Sequence, residues 1–137
     1  MDIIYHQSVR TCQEAASARG IDINEELKTI ILKIGHKRIA VHLRGGDMIN
    51  SRLIQSLFRH RSRFLSMDEL KYYNLAKGLV NPWNIKFCEY NLIATNILNY
   101  EYMYTNNSKL DEGVKFQTQI LLNLPNIIIG DFGYEKN

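Results

Sequence analysis

Cysteine, proline and long apolar runs are all scarce in this chain. Its 137 residues hold two Cys, two Pro and one Trp, and Cys12 and Cys88 stand far apart, with no C-x-x-C spacing and no His at a zinc-like interval. That spacing argues against a structural zinc site. One disulfide is open to the pair, but two scattered thiols read first as small buried hydrophobes in a reducing compartment. The apolar runs are only a few residues long, as in Ile127-Ile128-Ile129, against the ~20 residues that a membrane-spanning helix needs. The N-terminus also lacks the basic-then-apolar pattern of a secretory signal, so a cytoplasmic location is expected. Glycine is sparse too, at eight residues. With 45% hydrophobic and 23% charged residues, collagen-like, low-complexity and disordered readings fail. The length suits a core of its own, and residues 1–137 are expected to form one domain.

Catalytic signatures are equally thin. No GxSxG, HExxH, Walker lysine loop or GxGxxG is present. The four histidines, His6, His36, His42 and His60, never fall four apart, so no helix face offers two metal ligands. They read as surface or phosphate-facing residues, and neither metal nor cofactor is expected.

What is abundant is charge of one sign in one place. Between Lys33 and Arg63 lie eight Lys or Arg (Lys33, Lys37, Arg38, Arg44, Arg52, Arg59, Arg61, Arg63) against a single acid, Asp47, whereas from Phe87 onward six acids face three Lys. A field that lopsided attracts polyanions. Arg59, His60, Arg61 and Arg63 crowd beside Phe58 and Phe64, which favours a phosphate-binding patch over a merely solvated basic face.

The pattern of elements is mixed. Ser8 is placed to cap a helix over residues 9–19 that Gly20 ends in the left-handed conformation. Leu27–Ile34 and Arg38–Leu43, separated by Gly35-His36-Lys37, predict a β-hairpin. Ile49, Leu53, Ile54, Leu57 and Phe58 recur at helical spacing, and Ser66-Met67-Asp68-Glu69 is a capping box opening a short helix. Gly78 to Asn84 contains Pro82 and the only Trp, and reads as a loop of constrained shape. Beyond it, Asn91–Leu98, Tyr100–Thr105, Gly113–Gln117 and Ile127–Phe132 predict strands, and Thr118–Leu124 a short helix stopped by Pro125. The class is α/β or α+β around one mixed sheet.

Two features stand apart from that scaffold: Lys28 at the start of an apolar strand, and the Gly78-x-x-x-Pro82 loop fifty residues later. Each has a plain explanation, the lysine reaching solvent past its apolar stem and the loop serving as a turn. Together they carry a resemblance. Asn24-Glu25-Glu26-Leu27-Lys28-Thr29-Ile30-Ile31-Leu32 and Gly78-Leu79-Val80-Asn81-Pro82 resemble the two signature stretches of the YbaK/prolyl-tRNA synthetase-associated editing domain family, in order and separation. Tyr5-His6 with Ser8-Val9-Arg10-Thr11 is similar to the family's opening, and Met103 to Asn107 with Gly113 to Phe116 to its later strands.

The resemblance implies a single domain built on a mixed, mostly antiparallel, curled β-sheet flanked by helices. The implied activity is trans-editing: hydrolysis of the ester on a mischarged tRNA, with tRNA-Pro carrying a small amino acid such as Cys or Ala as the expected substrate. By the same resemblance Lys28, Gly78 and Pro82 form the catalytic core. Tyr5, Leu79, Val80, Asn81, Asn84 and Asn106 contact the substrate, while Lys33, Arg44, Arg59, Arg61 and Arg63 grip the acceptor end of aminoacyl-tRNA. Prolyl-tRNA synthetase is a further implied partner. Three positions depart from the pattern. Asn84 stands where a second glycine is usual and is expected to take its positive φ. Ile93-Ala94-Thr95 lacks the usual acid, and Asn106-Asn107-Ser108 lacks the usual glycine or histidine. Those departures keep a second expectation open, a non-catalytic module that binds tRNA or an aminoacyl group.

Overall fold

The computed structural model describes residues 1–136. Its centre is the predicted hairpin, β2 (Leu27–Ile34) against β3 (Lys37–Arg44), with Ile34 opposite Lys37 and Gly35 turning the chain at φ 61°. β3 continues the sheet in parallel to β6 (Tyr90–Ala94), and β6 to β9 (Ile127–Gly130), while β5 (Ser62–Phe64) adds antiparallel to the other side of β2. The order in this five-stranded sheet is β5-β2-β3-β6-β9. A second sheet joins β1 (Asp2–Tyr5) to β8 (Glu112–Gln117) and β8 to β7 (Tyr102–Lys109), and a two-stranded one joins β4 (Asp47–Ile49) to β10 (Gly133–Glu135). The one mixed sheet expected from the sequence is therefore three, because β7 and β8 pair with each other and with β1 instead of joining the central strands, and β4 pairs with β10.

Three helices brace these sheets: α1 (Cys12–Arg19), α2 (Ser51–Phe58) and α3 (Met67–Tyr72). Ser66 caps α3 as its capping box predicts, and Gly20 closes α1 at φ 70°. The cap of α1 is Thr11 rather than Ser8. Thr11 and Glu14 form a reciprocal box of their own, and Val9 N donates to Leu110 O at 2.9 Å, which keeps the chain extended before the helix. The strand expected over Asn91–Leu98 stops at Ala94, and Thr95–Asn99 and Thr118–Asn123 are 3₁₀ turns.

One face of the large sheet packs Leu32, Ile39, Val41, Leu43 and Leu92 against Met103, Phe116 and Leu121, and the other packs Ile31, Ala40 and Cys88 against Leu65, Leu70 and Val80. Because β3 is covered on both faces, His42 is fully buried instead of surface-facing. Its Nδ1 lies 3.0 Å from Thr29 Oγ1 and its Nε2 2.9 Å from Asn91 Oδ1. Asn91 Nδ2 donates to Pro125 O, so Oδ1 is the acceptor; His42 Nε2–H is then the donor and Nδ1 accepts the Thr29 hydroxyl proton.

Burial pushes the His42 pKa down to about 4, against the Asn91 hydrogen bond. The unfolded chain therefore takes up a proton that the folded one refuses as pH falls from about 6.5 to about 4, and stability falls with it, levelling off below. Urea denaturation over that window should show the native protein losing about 3 kcal/mol relative to His42→Gln.

Candidate active site

β5 pairs with β2 only from Leu32 to Ile34, so the Leu27–Ile31 stretch of β2 has no neighbouring strand on its outer side. A cavity of about 710 Å³ runs along that edge, closed by α1, by the loop around Gly78, by Thr105 and Asn106 of β7 and by Phe64 to Leu70. Lys28, Gly78, Val80 and Asn106 all line it. The lysine and the loop, remote in sequence, thus meet at one cleft.

Lys28 does not swing free. Its Nζ donates to the main-chain oxygens of Gly45 and Asp47, in the tight turn between β3 and β4. Two carbonyls hold the ammonium as a fixed point charge at the cavity wall. That seat needs a glycine at 45: a Cβ there would lie 2.6 Å from Ile23 O, 3.0 Å from Glu26 Cβ and 3.3 Å from Cys12 Cβ.

The loop owes its shape to three asparagines. Asn81, buried, accepts at Oδ1 from Trp83 N (2.9 Å) and Asn84 N (3.1 Å), and its amide donates to Asn106 Oδ1 (3.2 Å) and Ser108 Oγ (3.1 Å). Asn84 accepts from Asn81 N and donates to Leu79 O at 2.7 Å, and Asn106 Nδ2 donates to Val80 O at 2.8 Å. Asn84 does not take the positive φ expected of it, which belongs here to Gly78 at 85°. Its side chain closes the turn instead. Leu79, Asn81, Pro82 and Asn84 lie outside the cavity lining; the bonds among Asn81, Asn84, Asn106 and the Leu79 and Val80 oxygens brace the wall that Gly78 and Val80 present. Tyr5, on β1, is 73% exposed and also lies outside the lining.

The wall also holds a buried ion pair that the sequence pattern does not single out. Arg19 Nη1 meets both carboxylate oxygens of Glu26 at 2.6 Å, with side chains only 2% and 4% exposed. Arg19 Nε donates to His6 Nε2 at 3.1 Å, and Gly113 lets the guanidinium pass, since a Cβ there would sit 2.8 Å from Arg19 Cζ. Burial pushes the Glu26 carboxyl up, to about 7, against the pull of Arg19. Cys12, also in the lining, has its thiol pKa raised by burial, outweighing nearby Lys28; it is a small wall group rather than a thiolate nucleophile. Cys12 and Cys88 are both free thiols. The signal for this buried pair was Glu26, an acid directly ahead of an apolar strand.

Of the cations expected to grip RNA, Lys33 stands directly opposite Arg38 on β3 and Arg63 on β5, a row of like charges across three strands. Like charges so placed repel unless an anion or an acid answers them, and Glu69 answers Arg63 at 2.6 Å. Arg44 is paired with buried Asp47 at 2.9 Å and with Glu135 at 3.3 Å, so its guanidinium is committed to the fold. Arg59 caps α2 in the left-handed conformation, and neither it nor Arg61 reaches the cavity lining. The cavity mouth has three other exposed cations that sequence reasoning passed over, Arg10, Lys77 and Lys109. Among the described residues no cluster of three or more His, Cys, Asp or Glu could hold a metal, and no helix is long and apolar enough to cross a membrane.

Comparison with known proteins decides the family. The model of the aminoacyl-tRNA editing domain matches residues 6–121. The chain belongs to the aminoacyl-tRNA editing domain family. No match was found among curated proteins. Solved structures share the fold: a hypothetical protein at 18% identity and TM-score 0.88, over 97% of this chain and 91% of that one, and a proposed trans-editing enzyme for prolyl tRNA synthetase at 16% identity and TM-score 0.86, over 99% and 87%. A proposed signal transduction protein from Marinobacter aquaeolei VT8 matches at 14% identity and TM-score 0.71, over 97% of this chain but 28% of its own. The editing-domain fold therefore also sits within longer chains.

Proposed function

We propose that this editing-domain protein is a cytoplasmic, trans-acting deacylase that hydrolyses the ester of a mischarged tRNA, with tRNA-Pro bearing a small amino acid such as Cys or Ala as its substrate. The supporting observation is the convergence of Lys28 and the Gly78 loop on one cavity. An aminoacyl ester is already activated, so holding a water near its carbonyl and stabilising the developing oxyanion supplies much of the rate, without a protein nucleophile. Lys28 offers a fixed positive charge for the phosphate or ribose of the terminal nucleotide, and Gly78 lets the loop backbone approach. Lys33 and Arg63, with Arg10, Lys77 and Lys109 at the mouth, supply the charge for the acceptor end. A cavity of limited size admits a small side chain and turns away a larger correct one.

Deacylation of a panel of mischarged tRNAs tests the reading. The native protein should clear at least one small amino acid, and Lys28→Ala should lower the rate by about 10²-fold or more. Filter binding that persists with no deacylation on any substrate would favour instead the non-catalytic module that the departures at residues 93–95 and 106–108 suggest.

A further inference from the structure

The outer edge of β2 is closed at two points and open between them. Thr105 Oγ1 donates to Leu27 O at 3.0 Å, and Leu65 N donates to Ile31 O at 3.2 Å. In an extended strand alternate residues turn their main-chain groups to the same side. Thr29, midway between, therefore presents its N–H and C=O to that same outer edge, away from β3. Among the described residues neither a strand nor a side chain reaches them there. The Thr29 hydroxyl is committed to His42. What Thr29 offers the cavity is one unpaired donor and one unpaired acceptor of the main chain, in a residue only 8% exposed. Buried main-chain groups of that kind call for a partner.

We infer that this gap is the seat of the aminoacyl group itself, bound as a single added residue of antiparallel strand. This rests on the deacylase reading and specifies its substrate site. An aminoacyl ester carries an α-ammonium donor and a carbonyl acceptor with the spacing of one peptide residue. Its ammonium donates to Thr29 C=O, and Thr29 N–H donates to the ester carbonyl, the two-bond pair of an antiparallel ladder. The second bond polarises the carbonyl that water attacks. Because the neighbouring ladder bonds at Leu27 and Ile31 are taken, one residue fits and a peptide does not.

The same geometry sets side-chain selectivity. Residues directly opposite in an antiparallel pair share a face of the sheet. The side chain of an L-aminoacyl group paired with Thr29 therefore lies on the face of Ile31, where Leu65, Leu70 and Val80 line the cavity. That wall suits a small, uncharged side chain.

The test uses the full chain and a non-hydrolysable probe, 3′-amino-3′-deoxyadenosine acylated with L-alanine, followed by ¹H–¹⁵N NMR. The Thr29 amide should move downfield and exchange with solvent at least about ten-fold more slowly, as a buried hydrogen bond requires. A propionyl probe, lacking only the α-amine, should bind about ten-fold more weakly, the loss of one charged donor. Binding that shifts the Gly78 loop but leaves the Thr29 amide unmoved overturns this inference and leaves the deacylase reading intact. Equal affinity for the two probes also overturns it. Failure of the alanyl probe to perturb any cavity residue overturns both.

Discussion

Arg19→Met is expected to destabilise the fold by about 3–5 kcal/mol near pH 8, the range for breaking a buried ion pair from one side. The reason is the carboxylate left behind: Glu26 keeps its place in the cavity wall with no counter-charge and two oxygens stripped of their donor. The pH dependence gives the sign. Without Arg19, the one group pulling its pKa down, Glu26 should titrate higher still than its present value of about 7. A carboxyl raised in the folded state keeps its proton while the unfolded chain loses it, so the penalty grows as pH rises from about 4.5 and is relieved on acidification. Urea denaturation at pH 5 and pH 8 should find the variant markedly more stable at the lower pH. Arg19→Met combined with Glu26→Gln should recover most of the loss, because no buried charge then remains. A variant as stable as the native protein at pH 8 would mean that the pair is hydrated and no part of a dry wall.

Gly45→Ala should be the most damaging single methyl addition in the chain's tight turns. The new Cβ would fall 2.6 Å from a main-chain oxygen, Ile23 O, which cannot rotate away. Its other neighbours, Glu26 and Cys12, are cavity-wall residues. Overpacking of this kind costs typically 1–3 kcal/mol, and here the turn must also move, taking with it one of the two carbonyls that hold Lys28. Thermal melting should show a drop of about 8 °C or more, and the surviving folded protein should bind the alanyl probe at least about ten-fold more weakly than the native one. Gly46→Ala is the control. Its Cβ would meet the end of the Asn24 side chain at 2.7 Å, a group free to rotate, so its effect should be much smaller.

How far the sequence foretold this site follows from what each feature depends on. The hairpin was legible because Ile-rich strands flank a glycine turn, and α3 because Ser66 and Glu69 cap it locally. Lys28 and Gly78 are paired in the sequence only through the family resemblance that the stretches around them carry. The Arg19–Glu26 pair could not, since it joins a helix end to the start of a strand and depends on Gly113, far along the chain, leaving room. The burial of His42 is hidden in the sequence for a related reason. An alternating strand implies one wet face, but β3 is the central strand of the five-stranded sheet, flanked by β2 and β6 with packed layers on both sides. The open stretch of β2 follows from where β5 stops pairing, a limit set by the length of a three-residue strand rather than by any residue of β2.

The clamp on the Gly78 loop is built wholly from neutral amides and a hydroxyl, Asn81, Asn84, Asn106 and Ser108. None of these ionises, and none is screened by dissolved ions. Under the proposed function, capture of the polyanion would lean on exposed ammonium and guanidinium groups and weaken as ionic strength rises, while the contour of the chamber proposed to sort one amino acid from another would stay as it is. Recruitment and discrimination, as proposed, would thus be governed by separate physics, the first open to modulation by the salt around the protein without blurring the second.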